Sequence, residues 1–423
     1  MRTEQLRPAV RRAWGNSLYR NSFLILSTQA ITSAVGYFFW AITARHSGPS
    51  TTGLTGSLVS AAAAATLLTT TGITVGSIPL LTKARSSGER QALAVAAGTA
   101  SVLLSLVGGL VMVLVVPNFV RSLAPAGQTD LAVPLVILVL ATSLGQLIDA
   151  VALATSNTRI MLWRGGIASG ARLLVFALPG PTSLQDLIWS YSLATVVADL
   201  AALTLLRPRG LLAHVRHSGA ATWRRRRYYL GNHVTSLGGA GAVYLLPVVV
   251  LSQLGPEKAG FFYPTWLLGG LFFTISPAVS NAYLARTGSA GEALGKQMRE
   301  AVVVILVLLA VPLTFVLVAP GLVLSLFGPG YAERGSVLLR LLALSALPDA
   351  ITNIAVAALR VVGRLRAAAA LNMTMSVVVL ASAFPLLAHF DVAGAGVAWL
   401  AAQSTGALAV PFLIRHRMWS GDS

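Results

Sequence analysis

The chain has 423 residues, 55% of them hydrophobic and only 10% charged, against about 25% charged in an ordinary soluble domain. Its 31 basic residues outnumber 13 acidic ones for a net charge of +18, yet the charges punctuate apolar blocks and accompany no RNA- or DNA-binding motif. That pattern argues for a membrane protein and against a nucleic-acid partner, and the lack of any cysteine excludes disulfides, thiolate metal sites and cysteine nucleophiles.

The N-terminal stretch MRTEQLRPAVRRAWGNSLYR is basic and runs into an apolar segment too long for a signal-peptide core, with no evident cleavage site. It reads as a retained cytoplasmic segment. A helix crosses the hydrocarbon core in about 20 residues. On that rule the predicted spans are 22–44, 54–81, 92–116, 131–154, 160–178 and 184–206, then 230–251, 261–284, 302–324, 337–359, 367–387 and 392–414. Between the two sets lies the longest polar interval, 207–229, with Arg224, Arg225, Arg226 and Arg227 just before the seventh span. It reads as a solvated linker whose charge sets the orientation, and its arginines also suit anionic lipid headgroups. The predicted organisation is an N-terminal lobe at 1–206, a basic cytoplasmic linker at 207–229 and a C-terminal lobe at 230–423.

The connections test this assignment. Those after even-numbered spans carry Lys83, Arg85 and Arg90, then Arg159 and Arg164, then the linker, then Arg286, Lys296 and Arg299, then Arg360, Arg364 and Arg366. Arg415 and Arg417 follow the last span. The connections after odd-numbered spans (HSGPSTT, PNFVRSLAPAGQTD, PGPTS, SQLGPEKAG, FGPGYAERG and AHFD) are poor in positive charge. By the positive-inside rule this alternation predicts an all-α polytopic membrane protein of 12 transmembrane helices in two six-helix lobes, with both termini cytoplasmic. The outer loops are too short to hold a soluble domain.

A faint internal repeat runs through the two halves. Gly48-Pro49-Ser50-Thr51-Thr52-Gly53 joins the first two spans, and Gly255-Pro256-Glu257-Lys258-Ala259-Gly260 joins the seventh and eighth. Asn21 and Asn232 likewise open the first span of each half. Six is even, so the halves would be parallel repeats with a binding cavity between them, although tight outer turns also favour Gly-Pro by themselves.

Ionisable side chains within spans are costly, by roughly 2.5–3.5 kcal/mol on insertion scales, and are therefore candidates for function. Arg172 falls near the middle of span five and Asp349, beside Pro348, near the middle of span ten. Asp149 and Asp199 lie toward the cytoplasmic ends of spans four and six, His233 near the start of span seven, and Arg45 and Arg340 at the outer side. Those near an interface can snorkel or meet a headgroup. The candidate substrate-binding residues are Arg172, Arg45, Asn21 and Asn232, with the Arg172 guanidinium suited to bidentate phosphate contact. Asp349 and Asp199 are the candidates for ion coupling. Pro79, Pro247, Pro277, Pro312 and Pro348 interrupt apolar runs and permit bending. Phe261, Phe262, Tyr263 and Trp266 read as an interfacial aromatic belt, with a sugar-stacking platform as the alternative. No P-loop, metal-ligand cluster, nucleophile elbow or close carboxylate pair occurs, so neither an ATP-driven pump nor an enzyme is expected, and no metal or cofactor.

Several stretches carry a family resemblance: FWAITARHSGPSTTGLTGSLVSA, TTTGITVGSIPLLTKA, YLGNHVTSL, LPVVVLSQLGPEKAGFFYPTW, ISPAVSNAYLA, LFGPGYAERGSVLLRLLALSALP and VAGAGVAWLAAQ. Together, in order and spacing, they resemble the polysaccharide and O-antigen exporters (Wzx-like flippases) of the MATE-like MOP superfamily. The resemblance implies two six-helix lobes forming a V around a cavity that opens to either side alternately. It implies a cargo of lipid-linked, polyprenyl-pyrophosphate oligosaccharide, whose headgroup crosses through the cavity while the tail stays in lipid. It further implies cavity arginines that meet the pyrophosphate, an ion gradient as the energy source, and the bacterial plasma membrane as the location. Membrane lipids, a polysaccharide polymerase and glycosyltransferases are the partners it suggests. Arg45, in Thr43-Ala44-Arg45, takes the family's "A-A-R" position. Twelve spans instead of the fourteen of lipid II flippases argue against a peptidoglycan precursor as cargo. The alternatives are an ion-coupled antiporter of small cationic drugs on the same fold, a membrane polymerase or ligase, and a non-transporting scaffold. The deep arginine disfavours the first, and the short outer loops the second.

Overall fold

The computed structural model describes residues 17–123, 131–178, 182–206, 226–284 and 292–418, with the side chains of 17–33, 115–123, 226, 235, 281–284, 292–293 and 413–418 excepted. Every regular element among them is helical: α1 (Ser17–Thr69), α2 (Thr71–Thr82), α3 (Ser87–Leu123), α4 (Ala132–Ala154), α5 (Thr158–Arg172) with a 3₁₀ turn at Leu173–Ala177, and α6 (Leu184–Leu206). The chain continues through α7 (Arg226–Leu284), α8 (Glu292–Val318), the short α9 (Pro320–Leu324), a 3₁₀ turn at Ser325–Phe327, α10 (Tyr331–Val361), α11 (Leu365–Phe390) and α12 (Ala393–Met418). Arg224, Arg225 and most of the basic linker lie outside the described residues, whereas Arg226 and Arg227 open α7.

Nine helical stretches among the described residues are long and apolar enough to cross a membrane, so the chain is a multi-pass membrane protein. The twelve predicted spans are not reproduced one for one. Ala34–Thr69 joins parts of the first two and Ser236–Ser280 parts of the seventh and eighth, while α12, the predicted last span, is not among the nine. The reason is local geometry. The outer turns expected at HSGPSTT and SQLGPEKAG are each a single glycine outside helical conformation: Gly48 at φ 75, ψ 173, and Gly255 at φ 80, ψ 176. Such backbone is nearly confined to glycine, and the proline that follows starts the next helical segment at its own preferred φ. Span two, predicted as one helix, is broken instead at Thr70, whose carbonyl caps the first turn of α2 through Ile73 N at 2.9 Å and Thr74 N at 3.1 Å.

The chain forms two compact units. The first comprises residues 1–39, 68–118 and 127–233, the second 40–67, 119–126 and 234–423. In the first, Ile148, Ala152, Ile160 and Ala202 join α4, α5 and α6, and Ile73, Ala97, Leu147 and Tyr229 join α2, α3 and α4 to the start of α7. In the second, Ala355, Val356, Leu359, Ala368, Leu371 and Val410 weld α10, α11 and α12. Each cluster includes alanine, a small residue that lets helices approach closely where no hydrophobic force drives them together. The largest exposed apolar side chains, such as Leu114, Val311 and Val318, are the surface a bilayer would cover.

The Gly-Pro repeat becomes a contact within the second unit. A Cβ on Gly53 would collide with the backbone of Pro256, Ala259 and Gly260, and one on Gly260 would collide with the backbone of Pro49. The two motifs therefore cross reciprocally, main chain on main chain. One turn beyond Gly53, Ser57 donates to the Pro247 carbonyl at 3.1 Å.

Candidate functional site

The second unit contains a cavity of about 490 Å³ walled by α7, α10, α11 and α12. Along α10 the lining residues Asp349, Thr352, Asn353, Val356 and Arg360 recur at the spacing of one helical face. Asp349 is only 5% exposed. Ser276 and Asn353 stand beside its carboxyl, yet Oδ2 has no hydrogen-bond partner among the described residues. Its backbone carbonyl is held twice, by Asn353 Nδ2 and Thr352 Oγ1, both at 3.0 Å. Thr352 also reaches Gln403 Oε1 at 3.2 Å, which ties the polar face of α10 to α12. The hydroxyl of Ser280 and the indole N–H of Trp399, both on the wall, are buried without partners among the described residues. Buried polar atoms are almost always paired, so three orphans around one void mark a place shaped for a ligand or water.

The aromatic run at the start of span eight is a correction to the sequence reading. Phe261, Phe262, Tyr263 and Trp266 are all buried, not arrayed in an interfacial belt. Trp266 stacks on Phe262 at 5.7 Å and meets Trp399 edge-on at 4.9 Å, and Phe273 lies 5.5 Å from Trp399. Three of these rings, Trp266, Phe273 and Trp399, face the cavity.

In the first unit the buried charges form a triad. Arg164 donates from Nε to Asp149 Oδ1 at 2.8 Å, from a terminal nitrogen to Asp149 Oδ2, and from the other to Asp199 Oδ1 at 3.3 Å. The sequence placed Arg164 in a cytoplasmic connection, but it lies inside α5 with its side chain 16% exposed. Two carboxylates on α4 and α6 draw it in, and Gly145 leaves the room, since a Cβ there would overlap the guanidinium. Asp199, a candidate for ion coupling, is thus engaged through one oxygen while Oδ2 has no partner among the described residues.

Arg172, predicted near mid-span, is the last residue of α5, where the helix tightens into its 3₁₀ turn. Its guanidinium lies 4.2 Å above the Tyr191 ring, and its buried Nε has no partner among the described residues. Arg45 is exposed and commits two donors to carbonyls, Nε to Leu326 at 2.8 Å and a terminal nitrogen to Ser325 at 3.1 Å. It anchors the 3₁₀ turn after α9. Asn232 donates to the Tyr228 carbonyl one turn earlier at 2.9 Å. Asn21 lies in α1, with its side chain outside the described residues. Within each unit the described candidates take separate places: in the second, Asp349 lines the cavity while Arg45 holds the turn after α9, and in the first, Asp199 joins the triad while Arg172 lies over Tyr191. The sequence missed Arg164 as a buried partner and the ring of Trp399, Gln403 and Thr352. The surplus of two membrane-depth aspartates over basic residues was the one available signal for Arg164.

No protein-family model matches the chain, and no curated protein sequence does. Solved structures do match it in fold. A multidrug resistance MATE family transporter of the MOP superfamily, in an inward-facing conformation, aligns with a TM-score of 0.70 at 14% identity over 94% of this chain and 98% of that one. The lipid II flippase MurJ, in an inward closed conformation, aligns with a TM-score of 0.72 at 12% identity over 93% of this chain and 87% of that one. A MOP superfamily transporter from Pyrococcus furiosus, described as having a binding pocket of reverse polarity, aligns with a TM-score of 0.53 at 14% identity and covers 94% of each. The chain has the all-helical fold of these transporters and flippases.

Proposed function

We propose that the chain is a flippase or exporter that moves lipid-linked, polyprenyl-pyrophosphate oligosaccharide across the bacterial plasma membrane by alternating access, for surface polysaccharide assembly. The observation that carries this reading is the cavity around Asp349: a membrane-depth carboxylate with an unpaired oxygen is costly to keep unless a ligand meets it. Asp349 then holds the coupling cation or proton. Arg172, with its unpartnered Nε, is the contact for the anionic pyrophosphate. Lobes at 1–206 and 230–423, a cytoplasmic linker at 207–229 and cytoplasmic termini belong to the same proposal, as do a polysaccharide polymerase and glycosyltransferases as working partners.

The test is reconstitution of the full chain in liposomes with a fluorescent polyprenyl-pyrophosphate oligosaccharide, under imposed proton or sodium gradients. Protein-dependent translocation is expected, with Arg172→Ala slowing it at least tenfold, the loss of about 1.4 kcal/mol of anion contact. Full activity in Arg172→Ala discards that residue's role and keeps the cargo class. No flipping in any gradient discards the cargo class.

A second reading, an antiporter of small organic cations, draws on one feature: the cavity sets a carboxylate among Trp266, Phe273 and Trp399, a combination that attracts cations. Gradient-driven uptake of a cationic dye without glycolipid flipping would select it.

A further inference from the structure

The cavity in the second unit has opposite charges at its two ends. Asp349 and Arg360 both line it, from the same helix. Eleven residues apart on α10, their backbones are separated by about 16 Å along the helix axis at 1.5 Å per residue, a gap that the two side chains shorten by about half when they reach toward each other. The carboxylate is buried, whereas Arg360 is exposed in the last turn of α10, on the side that the charge pattern makes cytoplasmic. Neither forms an ion pair with another described residue. The same walls carry the flat amides of Asn353, Asn372 and Gln403 and the indoles of Trp266 and Trp399. Planar amides paired with indole rings suit a polyhydroxylated ring, whose hydroxyls take bidentate bonds while its C–H face lies on an aromatic surface.

We propose that this cavity receives a dipolar glycosyl phosphate, with its phosphate at Arg360 and an ammonium-bearing sugar at Asp349. The inference rests on the glycolipid reading above and narrows it to amino-sugar cargo. A guanidinium grips phosphate through two parallel N–H donors, and an ammonium satisfies the unpaired Asp349 oxygen while resting near the indoles. Coupling cation and sugar ammonium then alternate at one carboxylate.

The experiment measures binding of soluble headgroups to the purified full chain: glucosamine 1-phosphate, glucose 1-phosphate and glucosamine. The wild type is expected to bind glucosamine 1-phosphate at least about tenfold more tightly than either probe that lacks one charge. Asp349→Asn should erase the preference for the amino group and keep that for phosphate, and Arg360→Gln should do the reverse. Equal affinity for all three probes, no binding of any, or preferences unchanged in the variants overturns the inference. Flipping of a glycolipid without amino groups, with Asp349→Asn binding all probes like wild type, removes this inference and leaves the flippase reading in place. The expected binding pattern without any flipping supports the dipolar site and removes the flippase.

Discussion

Replacing Arg164 with alanine would leave Asp149 and Asp199 facing each other inside the first unit with no cation between them. Breaking a buried ion pair from one side costs about 3–5 kcal/mol, so a clear drop in the thermal unfolding temperature of the solubilised protein is expected. Adding Asp149→Asn and Asp199→Asn to that variant should recover much of the loss, because the penalty lies in the stranded charges. Arg45 is a contrasting case. Its two bonds are solvent-exposed and reach carbonyls, so Arg45→Ala should cost no more than about 1 kcal/mol. Arg45→Lys should cost as much, since an ammonium cannot span both carbonyls as a guanidinium does. Unfolding temperatures of the three proteins decide it. Both arginines were visible in the sequence, but only as charges. What each one holds depends on which helices meet, and apolar periodicity carries no record of that.

At the scale of helices, glycine is the discriminating residue. Gly48→Ala and Gly255→Ala force a side chain into backbone that is nearly glycine-only, at about 1–3 kcal/mol each. Gly53→Ala and Gly260→Ala leave the local backbone comfortable but drive a methyl into the crossing main chain, which overpacking data put at about 1–3 kcal/mol. Gly241→Ala, with nothing within 4 Å of the added Cβ, should be neutral or slightly stabilising. Thermal unfolding of the five variants tests the pattern. The repeated G-P-x-x-x-G was legible as a motif, and its first glycine as a turn. That its last glycine exists for a close crossing could not be read, because the partner lies some two hundred residues away. The break at Thr70 was equally hidden: threonine is an ordinary span residue, and only its capping carbonyl reveals the end of one helix and the start of another.

For the molecule as a whole, the sequence conveyed the membrane class, because bilayer thickness imposes a length on apolar helices. The cavity was not legible, since its polar groups come from four helices whose packing no local pattern encodes. Orientation is directly testable, and the absence of native cysteine makes it simple. A cysteine at Lys258 should react with an impermeant thiol reagent from outside the cell, and one at Arg85 only after permeabilisation; the reverse would invert the topology. The crossing of the two Gly-Pro turns has one more consequence. The nearest atoms at its two crossing glycines are main-chain ones, while the nearby charges of Glu257 and Lys258 are occupied by Arg334 and Asp391. No rotamer can absorb a misfit there and no proton can weaken it. The junction therefore has a mechanical tolerance, not a chemical one: acidity and salt leave it untouched, and a single methyl's width decides whether it closes.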